Sequence, residues 1–207
     1  AALETGRAES SEVLLTPEDR LDLQTALQWF GFYDGAIDGA FGPGTRASMA
    51  AWQQAWGMLE PTGVLTSRQR GDLLQTWRDE IAAFGFAEVI EAEAGITLTL
   101  PLGLVAFDHY EPPFVHFVPR ADQAPRILLI SQPGDQAALT GLYDLMQSLA
   151  EVPLAGARSR DDRSFRIRGT SASVDTTVFA DLTGGFIKGW MLISTPDQAA
   201  RDAAAID

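Results

Sequence analysis

Cysteine is absent from the 207 residues. Disulfides, thiolate metal sites and a cysteine nucleophile are therefore excluded. Lysine is nearly absent too: of 15 basic residues only Lys188 is a lysine, and 28 acidic residues bring the net charge to −13. The acid is spread along the chain, with 12 acids and 6 bases in residues 1–86 and 16 acids and 9 bases in residues 87–207. Neither half offers a basic field, which argues against sequence-independent nucleic-acid binding and against anionic membranes as partners. No apolar run approaches the ~18 residues of a spanning helix. Histidine occurs only at His109 and His116, without His-Glu-x-x-His spacing, which makes a poor zinc site, so no metal and no cofactor is expected. Asp108-His109 invites a triad reading, yet no Gly-x-Ser-x-Gly elbow exists, and sequence neighbours rarely face one reacting atom. No catalytic constellation is expected within this chain.

The remaining composition, 46% hydrophobic and 21% charged, is that of a folded chain. Residues 1–12 are small and polar, and residues 1–15 are expected to be a flexible segment at the start of a mature chain whose export signal has been removed. Residues 16–86 read as three helices joined by glycine-rich turns. Thr16 caps the first, with Pro17 at its first position and Asp19 closing a capping box. Leu23, Ala26, Leu27 and Phe30 then form one apolar face, and Gly31 ends it. The turn that follows holds two Asp-Gly pairs, Asp34-Gly35 and Asp38-Gly39, both expected at positive φ. Pro43 opens the second helix, with Met49, Trp52 and Trp56 as its stripe. Thr66 and Gln69 form a capping box for the third, which runs to about Phe84. Gly39-Ala40-Phe41 and Gly63-Val64-Leu65 each precede a helix, a weak internal repeat. The boundary to the next domain falls near residues 84–88.

Residues 87–207 read mainly as strands. Ile96–Leu100 alternates strictly, and residues 114–118, 126–131, 164–168, 174–182 and 186–193 follow. One helix is predicted over 135–150 and another from Asp197. The fold class is thus α+β: an N-terminal three-helix bundle followed by an antiparallel α/β sandwich.

Residues 16–75 resemble the bacterial peptidoglycan-binding module. The residues that carry the likeness are Leu23-Gln24, Leu27, Gly31, Tyr33, Gly35, Ile37, Asp38-Gly39, Phe41-Gly42, Thr45, Met49 and Trp52-Gln53, followed by Gly63-Val64-Leu65. Two positions depart from the pattern: Thr62 stands where the second turn usually has Asp, and Gln69 where helix entry has Thr. The resemblance implies a non-catalytic cell-wall protein, or the targeting region of a larger envelope protein, in the periplasm or cell envelope. Its partner is then peptidoglycan. The segment Gly95–Gly103 resembles the opening strand of PsbP/Mog1-like domains, including those of envelope proteins that also carry a trypsin-like peptidase. A peptidase domain or another envelope protein is therefore a second expected partner, and regulation of such a peptidase the alternative role.

Tyr33, Asp38, Gly39, Arg46, Gln53 and Trp56 are the candidate ligand residues. Arg46 suits a stem-peptide carboxylate and an aromatic ring suits a sugar face. Arg46 and Gln53 are favoured because they are polar and close to a glycine turn, whereas Trp52 is expected in the core. Asp38 is expected to brace its turn through the amides that open the second helix. Asp34 and Asp38 lack the ligand count of a calcium loop. Gly42–Ala47 fits a loose dinucleotide pattern but follows a helix and a turn rather than a strand. Arg158, Arg160, Arg163, Arg166 and Arg168 are expected to lie on a solvated strand face.

Overall fold

The computed structural model describes residues 2–92 and 94–204. The chain divides into two compact units, residues 1–82 and 83–207. The first is helical and the second is built on antiparallel sheet, so the protein is α+β.

Unit one contains α1 (Ala2–Glu12), α2 (Pro17–Trp29), α3 (Pro43–Ala55) and α4, which starts at Ser67 and ends at Phe84. Local sequence accounts for the helix starts. The Thr16 hydroxyl accepts from the Asp19 amide and the Asp19 carboxylate accepts from the Thr16 amide, the reciprocal box that satisfies two orphan donors. Thr66 and Gln69 repeat this arrangement at the start of α4, with distances of 2.9 and 3.2 Å. The core comprises Leu23, Ala26, Leu27, Met49, Trp52, Leu65 and Leu73. Each large aliphatic side chain there contributes roughly 1.5–3 kcal/mol relative to exposure.

The segment expected to be flexible is instead α1, a helix seated on the module. Ala8 is buried, Arg70 donates to the Ser11 hydroxyl at 2.8 Å, and Arg20 donates to the Glu12 carbonyl at 3.2 Å. Among the described residues the helical unit therefore has four helices: α1 and the three expected over residues 16–86. The turns differ from expectation at one point. Gly39 has φ +75°, but Gly35 does not adopt positive φ. Gly35 is required by crowding: a Cβ there would lie 2.6 Å from the Tyr33 hydroxyl oxygen.

Unit two holds β1 (Phe86–Glu91), β2 (Ile96–Pro101), β3 (Val105–Glu111), β4 (Phe114–Pro119), β5 (Arg126–Pro133), α5 (Gln136–Ser148), β6 (Arg158–Arg160), β7 (Ser164–Thr170), β8 (Asp175–Thr183), β9 (Phe186–Ser194) and α6 (Ala199–Ala204). Its main sheet has the order β3-β4-β5-β9-β8-β7-β6, and every neighbouring pair is antiparallel. β1 and β2 form a separate hairpin. Strand β5 is apolar on both sides because both sides are covered. Leu128 and Ile130 pack with Leu139, Leu142 and Met146 of α5, while Ile127 and Leu129 pack with Leu100, Leu98 and Ile96 of β2. Farther along, β7 alternates as the sequence predicts: Phe165 and Ile167 are buried and Arg166 and Arg168 are exposed. Strands β1, β3 and β6 have no counterpart among the predicted elements.

Candidate functional site

Two buried glutamines organise unit one. Gln24, on α2, is fully buried. Its carbonyl oxygen accepts from the amides of Asp38 at 3.0 Å and Gly39 at 2.7 Å. Its Nε2 donates toward Asp38 Oδ1 and the Ala40 carbonyl at 3.1 Å, and toward Thr45 Oγ1 at 3.2 Å. Gln53, on α3, repeats this at the second turn. Its oxygen accepts from the Thr62 amide at 2.9 Å and the Gly63 amide at 3.0 Å. Its Nε2 donates to the Val64 carbonyl at 3.1 Å and toward Gln69 Oε1 at 3.2 Å. Each turn is thus held by an amide side chain that matches its backbone donors and acceptor.

This duplication explains the two departures noted in the sequence. Asp38 Oδ1 accepts from the Ala40 amide at 2.8 Å, and Thr62 Oγ1 accepts from the Val64 amide at 3.2 Å. Gln69 places its side-chain oxygen before the Gln53 amide, as Thr45 does before that of Gln24. Hydrogen-bonding capacity is conserved between the turns although residue type is not. The Asp38 carboxyl is held below the usual carboxylate range, first by the Ala40 N–H and then by the Gln24 amide.

The candidate ligand residues separate on this geometry. Tyr33, Asp38 and Gly39 belong to the first turn: the Tyr33 hydroxyl donates to the Ala36 carbonyl at 2.7 Å. Asp38 braces Ala40 rather than the amides of α3. Gln53 is fully buried with its amide committed to the second turn, and it also lines the groove beside Trp56. Arg46 is partly exposed, but its guanidinium already grips a carboxylate. Both its terminal nitrogens meet the buried Glu12 side chain, one at 2.7 Å, and Nη1 also donates to the Gly63 carbonyl at 3.2 Å. Asp38 is exposed, and so is Trp56, which is 57% exposed while stacking at 5.0 Å on the buried Trp52.

Trp56 stands at the side of a groove of about 440 Å³ whose lining includes Gln53, Thr62, Val64, Arg68 and Gln69, together with the acids Glu4, Glu60 and Asp72. Arg68, which the sequence did not single out, extends into solvent and makes a long 3.8 Å approach to Asp72. A stacking surface, a cation and hydroxyl and amide edges suit a polar ligand with apolar faces. The available sequence signal was the matched pair Leu23-Gln24 and Trp52-Gln53, which marks both glutamines as turn holders.

In unit two, His109 and His116 are not isolated. They face each other across β3 and β4, with ring centroids 4.3 Å apart and planes 7° apart. His116 is buried, and desolvation, followed by the charges of His109 and Arg126, lowers its pKa below the ordinary imidazole value. The arginine cluster is engaged with the sheet. Arg166 lies over Phe179 and Trp190, Arg160 over Tyr143, and Arg168 pairs with Asp175 at 3.3 Å.

The helical unit thus defines a small module of two glutamine-held turns beside an open groove. Residues 16–71 match the family model described as "Putative peptidoglycan binding domain". The chain is also similar to the spore cortex-lytic enzyme of Bacillus subtilis (strain 168), 34% identical over 74 residues, which cover 34% of this chain and 24% of that protein. A similar match is the spore cortex-lytic enzyme of Oceanobacillus iheyensis, 41% identical over 58 residues, covering 28% of this chain and 21% of the relative. The chain therefore spans about a quarter or less of the length of these relatives.

Proposed function

We propose that this chain is a non-catalytic cell-wall protein, or the wall-targeting region of a larger one, that binds peptidoglycan through the groove beside Trp56. The observation that carries the reading is the family match over residues 16–71. In this reading the Trp56 face takes a sugar ring or stem-peptide side chain, and Arg68 takes a stem-peptide carboxylate. Arg46 acts indirectly, by holding the second turn and Glu12. The protein works in the periplasm or elsewhere in the cell envelope. Unit two serves as a spacer or protein-interaction module. Binding by one small module is modest, and its effect is to raise the local concentration of whatever is attached.

Co-sedimentation of the full chain with purified insoluble peptidoglycan tests this. The unaltered chain is expected in the pellet. Trp56→Ala is expected to remain largely in the supernatant with its unfolding midpoint little changed, because that side chain is mostly outside the core. A soluble unaltered chain would refute wall binding, and full pelleting of Trp56→Ala would refute the groove.

A further inference from the structure

We propose that His109, Glu111 and His116 form a binding site for a zinc-class divalent transition-metal ion at the β3–β4 edge of the main sheet. Among the described residues these three form one group whose potential ligand atoms all lie within 4.8 Å of one another. The hairpin sets the arrangement. Its turn is Pro112-Pro113, so Glu111 pairs with Phe114 and His109 with His116. Glu111 therefore sits diagonally across from His116, within reach of a long side chain.

Glu111 Oε2 lies 3.6 Å from His116 Nε2 and 3.9 Å from His109 Nε2. Ligands of a tetrahedral zinc ion, each about 2.0–2.1 Å from the metal, stand about 3.3 Å apart. The atoms are close enough to share an ion once the His109 ring turns out of its stack on His116, because planes 7° apart hold the two Nε2 lone pairs nearly parallel. His109 is half exposed and Glu111 more so, and both are able to turn toward His116, which is fixed by burial. His116 Nε2 is buried and has no hydrogen-bond partner, a costly state that a metal bond relieves.

The surroundings supply the outer support such sites use. A register shift between Phe107 and His109 leaves Asp108 unpaired in the ladder, and its carboxylate reaches His109 Nδ1 at 2.8 Å. A carboxylate on Nδ1 fixes the proton there and leaves Nε2 as the donor to a metal. One local group opposes the ion. Arg126 Nη2 lies 3.3 Å from His116 Nδ1. Arginine only donates, so that contact needs a lone pair on Nδ1, whereas metal binding through Nε2 needs the proton on Nδ1. The Arg126 contact is therefore lost when the ion binds. Two imidazoles and one carboxylate suit zinc, copper or nickel better than magnesium or calcium. They leave a fourth position for water or a ligand from outside.

The test is calorimetric titration of the full chain with zinc chloride, repeated with cobalt(II) for its visible spectrum. One ion per chain and the absorption of four-coordinate cobalt are expected. His109→Ala and Glu111→Gln alter exposed side chains, retain the fold by circular dichroism, and are each expected to weaken binding by at least tenfold. Asp108→Asn is expected to weaken it by roughly 10–100-fold, the usual effect of losing an outer carboxylate. Arg126→Met is expected to tighten it. Absence of a one-to-one isotherm, or affinity unchanged in both His109→Ala and Glu111→Gln, would overturn the site. Weaker binding in Arg126→Met would overturn the assignment of Nε2 as the His116 ligand atom.

Discussion

Replacing each turn-holding glutamine by glutamate separates the two otherwise similar turns. Glutamate keeps the oxygen that accepts from two backbone amides but exchanges the donating NH₂ for a second oxygen. At Gln24 that oxygen would face Asp38 Oδ1, the Ala40 carbonyl and Thr45 Oγ1, all within 3.1–3.2 Å. Asp38 is ionised at neutral pH, its carboxyl being held below the ordinary range. A buried carboxylate would therefore meet a carbonyl and another carboxylate, with only the Thr45 hydroxyl able to turn and donate to it. Two donated hydrogen bonds are lost and a charge is buried without a partner, about 3–5 kcal/mol in all. At Gln53 the facing groups are the Val64 carbonyl, Thr62 Oγ1 and Gln69 Oε1, none of them charged. Thr62 can rotate its hydroxyl and Gln69 can turn its amide to donate, so Gln53→Glu is expected to cost about 1–3 kcal/mol. Urea unfolding followed by tryptophan fluorescence reports on the right unit, since Trp29, Trp52, Trp56 and Trp77 lie in residues 1–82 and only Trp190 lies elsewhere. For a unit of this size each kcal/mol shifts a thermal midpoint by roughly 4–8 °C. A pH series adds a second check. Burial and the Asp38 charge raise the pKa of a glutamate at position 24 in the folded state. Its penalty is full above that raised pKa and shrinks as pH falls through it, so the gap to the parent should narrow between about pH 7 and 5. Equal losses in the two variants, or a Gln24→Glu penalty that ignores pH, would refute this account of the turns.

Asp202 is buried, and desolvation raises its pKa, so the folded state binds its proton more tightly than the unfolded chain does. Its charge thus costs stability above that raised pKa and the cost disappears as pH falls through it; Asp202→Asn should raise the melting temperature at pH 7 and lose that advantage near pH 4. Arg46→Met leaves the Glu12 carboxylate buried without its cation and should destabilise unit one by about 1–3 kcal/mol, a value reduced for the partial exposure of Arg46. Restoration in the double variant with Glu12→Gln, measured by the same urea titration, would show that the pair carries the effect. Gly63→Ala should cost about 2–4 kcal/mol, because Gly63 has φ +70° and a Cβ would stand 2.7 Å from the Arg46 carbonyl; an unchanged urea midpoint would contradict this.

Features fixed by neighbours in sequence were legible before the structure. Both capping boxes, the α2 face and the helix starts at Pro17 and Pro43 depend on residues within four positions. So does the alternation of β7. What escaped depends on distant partners. The small, polar residues of α1 show no apolar stripe, and the helix is anchored by Glu12 to Arg46 and Ser11 to Arg70, 34 and 59 positions away. Polarity beside a glycine turn fits a ligand residue and a buried turn holder equally well, so the hold of Gln53 on the second turn was not legible. Its counterpart Gln24 carries the same signal in the same position relative to its turn. The His109–His116 pairing follows from a two-residue turn at Pro112-Pro113, counted outward along both strands. Strand β3 was not recognised, since Asp108, His109 and Glu111 interrupt its apolar pattern at an exposed sheet edge.

The second glutamine-held turn also bears on the thermodynamics of recognition. Thr62, Val64 and Gln69 line the groove, and the same residues are fixed from beneath by Gln53. That segment gives up its conformational freedom when the protein folds. A ligand entering the groove therefore meets a surface already in shape, and association need not order that stretch of backbone again.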